Sequence, residues 1–342
     1  MRGALLFIIT LILALLLGIL GLYLILNREV KEEREIHLSL RIEKGTSLKE
    51  VIEELWLKGA VEHPKLVYYW ARYEKVQPKA GCYKLSGKMS LGEVLKALET
   101  GRPCLKKFTI PPGSDLFLLD KLLSDKGICG KGEVVKLSRE ESFLAQLKVP
   151  SLNGFLFPNT YFINENSGCK EALSLAVEQF KKEVLPLYRD YSPPPKVKRA
   201  LGNPTLLQIV TVASIVEKET SVPEERPLIA AVIYNRLAKG MNLQCDPTVI
   251  YALKLKGKTV DRLTYNDLKV KSPYNTYYAK GLPPSPICNP SLSSIKAALY
   301  PASVDYLYFV ANGRGGHVFS RSYNQHLKNV EKLREWQRKN GS

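Results

Sequence analysis

The sequence has no Cys-x-x-Cys pair and no run of histidines. Its six cysteines (Cys82, Cys104, Cys129, Cys169, Cys245 and Cys288) are scattered, and it holds four histidines. That pattern argues against a zinc or redox centre, and no metal or organic cofactor is expected. In an oxidising compartment some of the six can pair; buried free thiols are the equal alternative, and spacing gives no connectivity. Also missing is any recognised nucleic-acid motif, although Lys and Arg outnumber Asp and Glu 50 to 33, a formal net charge of +17. No nucleic acid is therefore expected as a partner. The basic excess suits an anionic surface outside a membrane, or equally a plain solvated surface. Disorder is excluded by a composition that is 45% hydrophobic and 24% charged. Long apolar runs are absent, with one exception.

The exception is Ala4 to Leu26, where Thr10 and Tyr23 are the clearly polar side chains. At about 1.5 Å per residue a helix of this length crosses the roughly 30 Å hydrocarbon core with some tilt. A cleaved signal peptide has an apolar core of about 7 to 15 residues and ends in small residues, whereas this run ends "LYLILNREVKEERE". A retained single-pass transmembrane helix over 4–26 is expected, followed by a polar linker over 27–36. Flanking charges do not fix its orientation; the later motifs do, with residues 1–3 cytoplasmic and the bulk of the chain outside.

Beyond the linker the period changes. His37 to Ile42 alternates like a strand, then Leu48, Val51, Ile52 and Leu55 share a helical face. Ser47 and Glu50 form a capping box at its start. The design recurs in "YKLSGKMSLGEVLKALETG": a strand around Tyr83 to Leu85, a Gly turn, Ser90 as N-cap and Glu93 three residues on. "FTIPPGSDLFLLDKLL" is a looser echo. With "KGTSL" and "GKMSL" as turns, these small β-α modules over 37–108 resemble LysM-type peptidoglycan-binding units, a generic α/β subdomain being the alternative. A further small α/β segment is expected over 109–150. "LNGFLFPNTYFI", dense in aromatics and turn formers, reads either as a sugar platform or as a core strand entering a turn.

From Thr205 to Thr220 the chain is helical and apolar nearly all round, with Asn203 and Pro204 as starters. Its last turn, "ASIVEKET", delivers Glu217 and Glu219 to a core edge. Periodicity does not choose between them. At helical spacing Glu219 sits over Ile215 and Val216, and Glu217 over Ala213 and Ser214. The bulkier neighbours favour Glu219 as the more desolvated carboxyl, with a raised pKa suited to a general acid. Downstream, Asn235, Arg236, Gln244, Asp246, Thr248, Tyr274, Asn275, Thr276 and Tyr277 are packed among Gly and Pro turns. Amide, hydroxyl and aromatic groups on rigid loops make a carbohydrate cleft.

At these residues the chain resembles the endolytic murein transglycosylases, the MltG or YceG-like family. The blocks "ASIVEKET", "LQCDPTVIYAL", "SPYNTY", "GLPPSPICNPS" and "YLYFVANGRGGHVFS" fall in the family's order over roughly residues 150 to 330. The resemblance implies an α+β fold: a single N-terminal transmembrane helix, LysM-like β-α modules, then a mixed α+β catalytic domain over 151–338. It implies a lytic enzyme of the bacterial cytoplasmic (inner) membrane that cuts nascent glycan strands between N-acetylmuramic acid and N-acetylglucosamine, leaving 1,6-anhydro ends. Peptidoglycan strands, the membrane and peptidoglycan synthases are the implied partners. Glu219 falls on the family's catalytic position, as acid and then base. Gln244, Asp246, Tyr274, Asn275, Tyr277 and Asn235 are expected to hold the sugar, and Glu217, Thr220 and His317 to support; His317 is as readily structural. Asn153 and Asn159 stand where the family usually has Glu and Asp, and Cys245 where it has Thr or Ser. A water-using hydrolase, or a non-catalytic wall-binding scaffold, is the alternative.

Overall fold

The computed structural model of the chain describes residues 2–260 and 262–340; Met1, Asp261, Gly341 and Ser342 lie outside them, Met1 being the first residue of the expected cytoplasmic segment. The chain is mixed α and β and forms two compact units, residues 1–106 and 107–342.

The first unit opens with α1 (Arg2–Lys31), which from Leu6 has a mean hydropathy of 2.9 with none of its apolar stretch buried. Its length and composition suffice to cross a bilayer. Glu29 on its last turns is 3% exposed and accepts hydrogen bonds from the backbone N–H of Glu62 (2.6 Å) and His63 (3.0 Å). β1 (Arg34–Ile42) starts two residues after α1, so the stretch 27–36 holds a helix end and a strand start. There follow α2 (Leu48–Leu57), α3 (Pro64–Tyr73), β2 (Gly81–Met89) and α4 (Leu91–Leu98). Both expected capping boxes form, Ser47 with Glu50 and Ser90 with Glu93. β1 and β2 pair antiparallel from Arg34↔Met89 to Ile42↔Gly81, so the two repeats share one sheet. The alternation in β1 sends Leu38, Leu40 and Ile42 against Val51, Ile52, Leu55, Val94 and Leu95. The turn expected at Gly87 is not a turn: the strand continues through it with φ +110, a conformation open to glycine at little cost. Cys82 and Cys104 form a disulfide.

The second unit runs β3 (Leu105–Thr109), α5 (Leu116–Asp125), α6 (Glu133–Leu137), α7 (Glu141–Leu147), β4 (Thr160–Asn164), α8 (Cys169–Arg189) and α9 (Pro195–Leu201). Then come α10 (Leu206–Glu219), a 3-10 turn (Pro223–Glu225), α11 (Arg226–Ala238), α12 (Asp246–Leu255), α13 (Leu292–Leu299), β5 (Tyr308–Ala311), β6 (His317–Ser320) and α14 (Tyr323–Asn340). β3 pairs with β4, and β5 with β6. Central to this unit is α10, buried on every face from Ile209 to Val216 and packed against α11, α12 and α13. Thr205, rather than Asn203 or Pro204, is its N-cap, with Gln208 completing a capping box. "LNGFLFPNTYFI" resolves as a core turn: Leu152, Phe155 and Leu156 are buried, and Asn153 donates to the Pro286 carbonyl (2.6 Å) and the Tyr251 hydroxyl (3.1 Å). Gly154 has φ +89, and a Cβ there would sit 2.5 Å from Pro286. Cys129 and Cys169 form a second disulfide, while Cys245 and Cys288 are buried thiols. Both alternatives for the cysteines are therefore realised in one chain.

Candidate functional site

Where α10 ends, Glu219 enters a cleft of about 290 Å³ lined also by Arg236, Leu243, Gln244, Asp246, Tyr277, Phe309, Val310, Ala311, His317 and His326. Four helices, two loops and the β5–β6 hairpin meet there. Arg236 on α11 does much of the joining. It is 8% exposed, and its guanidinium donates to the carbonyls of Leu243 (2.6 Å) and Leu307 (2.6 Å) while lying over the Tyr308 ring. One buried cation thus holds the Gln244 loop and the entry to β5 against α11. Burial lowers its pKa, yet it stays charged.

Glu219 is largely buried, and its pKa is raised to about 7. Desolvation is the main cause, and the negative charge of Asp246 adds to it; a hydrogen bond with the Cys245 thiol and the Arg236 charge work the other way. Asp246, at the first turn of α12, accepts the Tyr277 hydroxyl at 2.7 Å; burial, and then this bond, pushes the phenol pKa up. Gln244 adopts a left-handed backbone (φ +52) with its N–H on the Thr276 carbonyl (3.1 Å), a strained conformation of the kind that clusters at working sites. His326 on α14 stacks on Tyr308 and its pKa is lowered by burial and by Arg236.

The expected site residues divide. Gln244, Asp246, Tyr277 and His317 share the cleft with Glu219. Asn275 is fully buried, its amide donating to the Leu268 and Val270 carbonyls (2.8 Å each) and its Oδ1 accepting the Tyr277 N–H (2.9 Å); it shapes the loop that carries Tyr277. Asn235 is consumed by the carbonyls of Val304 and Tyr306 and by Lys196. Tyr274 bonds Ser285 (2.7 Å) beside Tyr251, away from the cleft. Glu217 faces the other way. It accepts from the Ser291 N–H (2.9 Å) and the hydroxyls of Ser291 and Ser294 at the start of α13, with Arg226 at 3.8 Å. Thr220 donates to Glu225 (3.0 Å), which also holds His317. Glu225, Phe309 and His326 carried no signal in the sequence: Glu225 meets His317 from 92 positions away, and Phe309 and His326 pack on aromatic neighbours with no spacing of their own.

A carboxyl poised near neutrality, a second carboxylate beside it and amide, imidazole and guanidinium groups around them define an acid–base cleft for a polar substrate. The chain matches the YceG-like family over residues 40–332 and belongs to it. It is 32% identical over 321 residues to the endolytic murein transglycosylase of Bacillus subtilis (strain 168), covering 89% of this chain and 86% of that one. The Streptococcus pneumoniae serotype 2 (strain D39 / NCTC 7466) protein of the same name is 30% identical over 330 residues, 86% of this chain and 58% of the longer relative. A crystal structure of a YceG-like protein from Listeria monocytogenes superposes with a TM-score of 0.56 at 32% identity, covering 86% of this chain and 99% of that one.

Proposed function

We propose that the chain is a membrane-anchored endolytic murein transglycosylase with Glu219 as its general acid. The observation that carries this reading is a carboxyl titrating at about 7 inside a polar cleft, in a chain whose relatives bear that name. The chain is thus a lytic transglycosylase, a carbon–oxygen lyase acting on peptidoglycan. Glu219 protonates the glycosidic oxygen between N-acetylmuramic acid and N-acetylglucosamine as the C1–O bond breaks. The muramic acid's own 6-hydroxyl then closes on C1, its proton passes to the ionised Glu219, and a 1,6-anhydro end results. Hydrolytic glycosidases ordinarily need a second carboxylate as nucleophile or to direct water; here the attacking oxygen is already part of the substrate. Asp246, steadied by Tyr277, faces developing positive charge on the sugar, and Gln244 reads its polar groups. Asn275, Asn235 and Glu217 act from behind, holding the loops and helix ends that carry these residues.

The rest of the chain supports the same reading. α1 anchors the protein in the cytoplasmic membrane with its N-terminus inside, and the two disulfides suit an external, oxidising compartment. The β-α-α-β order of the first unit fits a LysM-like hold on glycan. Cleavage within nascent strands would end their elongation.

The deciding experiment is Glu219→Gln on purified glycan strands, with products read by mass spectrometry. Loss of anhydro-ended fragments from a folded variant is the expected result; fragments at the native rate would sink the assignment. Reducing ends, heavier by one water, would instead favour a hydrolase in which Asp246 directs water. Binding with no release by the native chain would leave a wall-binding scaffold.

A further inference from the structure

Behind the cleft, three donors converge on one carboxylate that no sequence motif marks. Glu225 accepts the His317 backbone N–H on Oε1 at 2.6 Å, the His317 ring Nδ1 on Oε2 at 2.6 Å, and the Thr220 hydroxyl on Oε2 at 3.0 Å. Its side chain is 13% exposed and that of His317 16%. Burial alone would raise the Glu225 pKa, but the hydrogen bonds from His317 and Thr220 outweigh it and hold the carboxyl below its ordinary range. An ionised carboxylate only accepts, so the hydrogen of the neutral ring sits on Nδ1 and Nε2 carries a lone pair. The approach is built into the backbone: at Gly316 a Cβ would lie 2.7 Å from Glu225 Oε1. Phe309 meets the ring edge-on at 5.4 Å, and His317 lines the same cleft as Glu219.

We propose that His317 is a substrate-binding residue whose Nε2 accepts a hydrogen bond from a hydroxyl or acetamido N–H of the glycan, and that Glu225 is the positioning residue that fixes it in that form. This rests on the reading of the cleft as a glycan site and names one of its recognition groups. Sugars present many donors, and the cleft's other side-chain acceptors include the Gln244 amide oxygen and the two carboxylates. Asp246 has one oxygen engaged by Tyr277, and Glu219 in its acid form offers a proton. A clamped neutral nitrogen accepts without the desolvation cost of a further carboxylate. The charged and titratable groups around it are Glu225 behind, and Glu219, Arg236, Asp246, Tyr277 and His326 around the cleft.

The test uses the full-length protein in detergent with purified glycan strands. His317→Ala is expected to raise KM roughly three- to tenfold, the worth of one hydrogen bond, with kcat changed far less. His317→Gln, whose amide oxygen reaches near the Nε2 position, recovers part of the loss. Glu225→Gln sets an amide N–H against at least one of the three donors, so it frees the ring and raises KM in turn. With four histidines in the chain, ring ¹⁵N spectra resolve the tautomer directly. His317 should show Nδ1–H with an Nε2 signal that moves when a peptidoglycan tetrasaccharide is added, and Glu225→Gln should mix the tautomers. A native KM in His317→Ala, or an Nε2 signal indifferent to the tetrasaccharide, overturns the proposal. Loss of turnover in Glu219→Gln tests the underlying reading separately, since it can hold while His317 fails.

Discussion

Replacing Glu219 by Gln should abolish turnover and, at the same time, make the second unit more stable. The second half of that expectation follows from where the carboxyl sits. Its ordinary pKa is 4.5 and in the fold it is about 7; at about 1.4 kcal/mol per pH unit, the ionised form is disfavoured by about 3 kcal/mol. The folded pKa is raised, so the effect is absent below pH 4.5, where the group is protonated in both states. It develops as pH climbs towards 7, and above 7 the folded state bears the full cost of an ionised, desolvated carboxylate. Glutamine has nearly the same shape and never ionises. Urea denaturation of the variant and the native chain should therefore coincide near pH 4 and separate by up to about 3 kcal/mol in favour of the variant at pH 8. A group kept in place at the expense of stability is what function at a strained site looks like. Equal stability at both pH values, or a variant less stable at pH 8, would refute the claim that desolvation dominates at Glu219.

The same carboxyl must be protonated to act as an acid, so kcat should fall as pH rises through about 7. Asp246→Asn, by removing the neighbouring negative charge, should move that limb to lower pH, visible in the pH–rate profile of intact glycan cleavage. Glu217→Ala should spare the pH profile yet destabilise the second unit by about 2 kcal/mol in thermal or urea unfolding, because it removes the shared acceptor of the Ser291 N–H and the Ser291 and Ser294 hydroxyls and the charge opposite Arg226. Breaking Cys129–Cys169, which closes a 40-residue separation, should cost about 3 to 4 kcal/mol by loop entropy. Thiol labelling of the native protein should leave the buried Cys245 and Cys288 untouched until it is unfolded.

Local signals transferred well from sequence to fold where the partner was three or four residues away. The capping boxes at Ser47 and Ser90 and the helix over 205–220 are of this kind. Thr205 took the cap expected of Asn203 or Pro204 because its hydroxyl and Gln208 stand at the reciprocal spacing. Gly87 was legible as a conformationally free position, but not as a strand interior, since the register that carries β2 past it is set by β1 some fifty residues earlier. In the site, the polar residues that end up in the cleft and those that end up scaffolding it have the same composition and occur in the same segments. Tyr277 and Asn275 are two positions apart, yet one reaches Asp246 and the other is fully buried under its own loop. Only the tertiary arrangement distinguishes them.

The pair Glu217 and Glu219 shows most directly what packing adds. Two positions on a helix differ by about 200° in direction, so the last turn of α10 must send them to nearly opposite sides. On one side α13 presents the N–H and hydroxyls of its first turn, and a carboxylate there is an acceptor for a helix start. On the other side the Cys245–Asp246 loop and the β5–β6 hairpin close over Glu219 and remove water from it. The neighbours one turn back on α10, which favoured Glu219 from sequence, are joined in the fold by segments 25 to 100 positions downstream that line the same cleft. The same helix end thus supplies a satisfied anion that holds the scaffold and a dissatisfied one that can give up a proton, and exchanging their surroundings would exchange their roles.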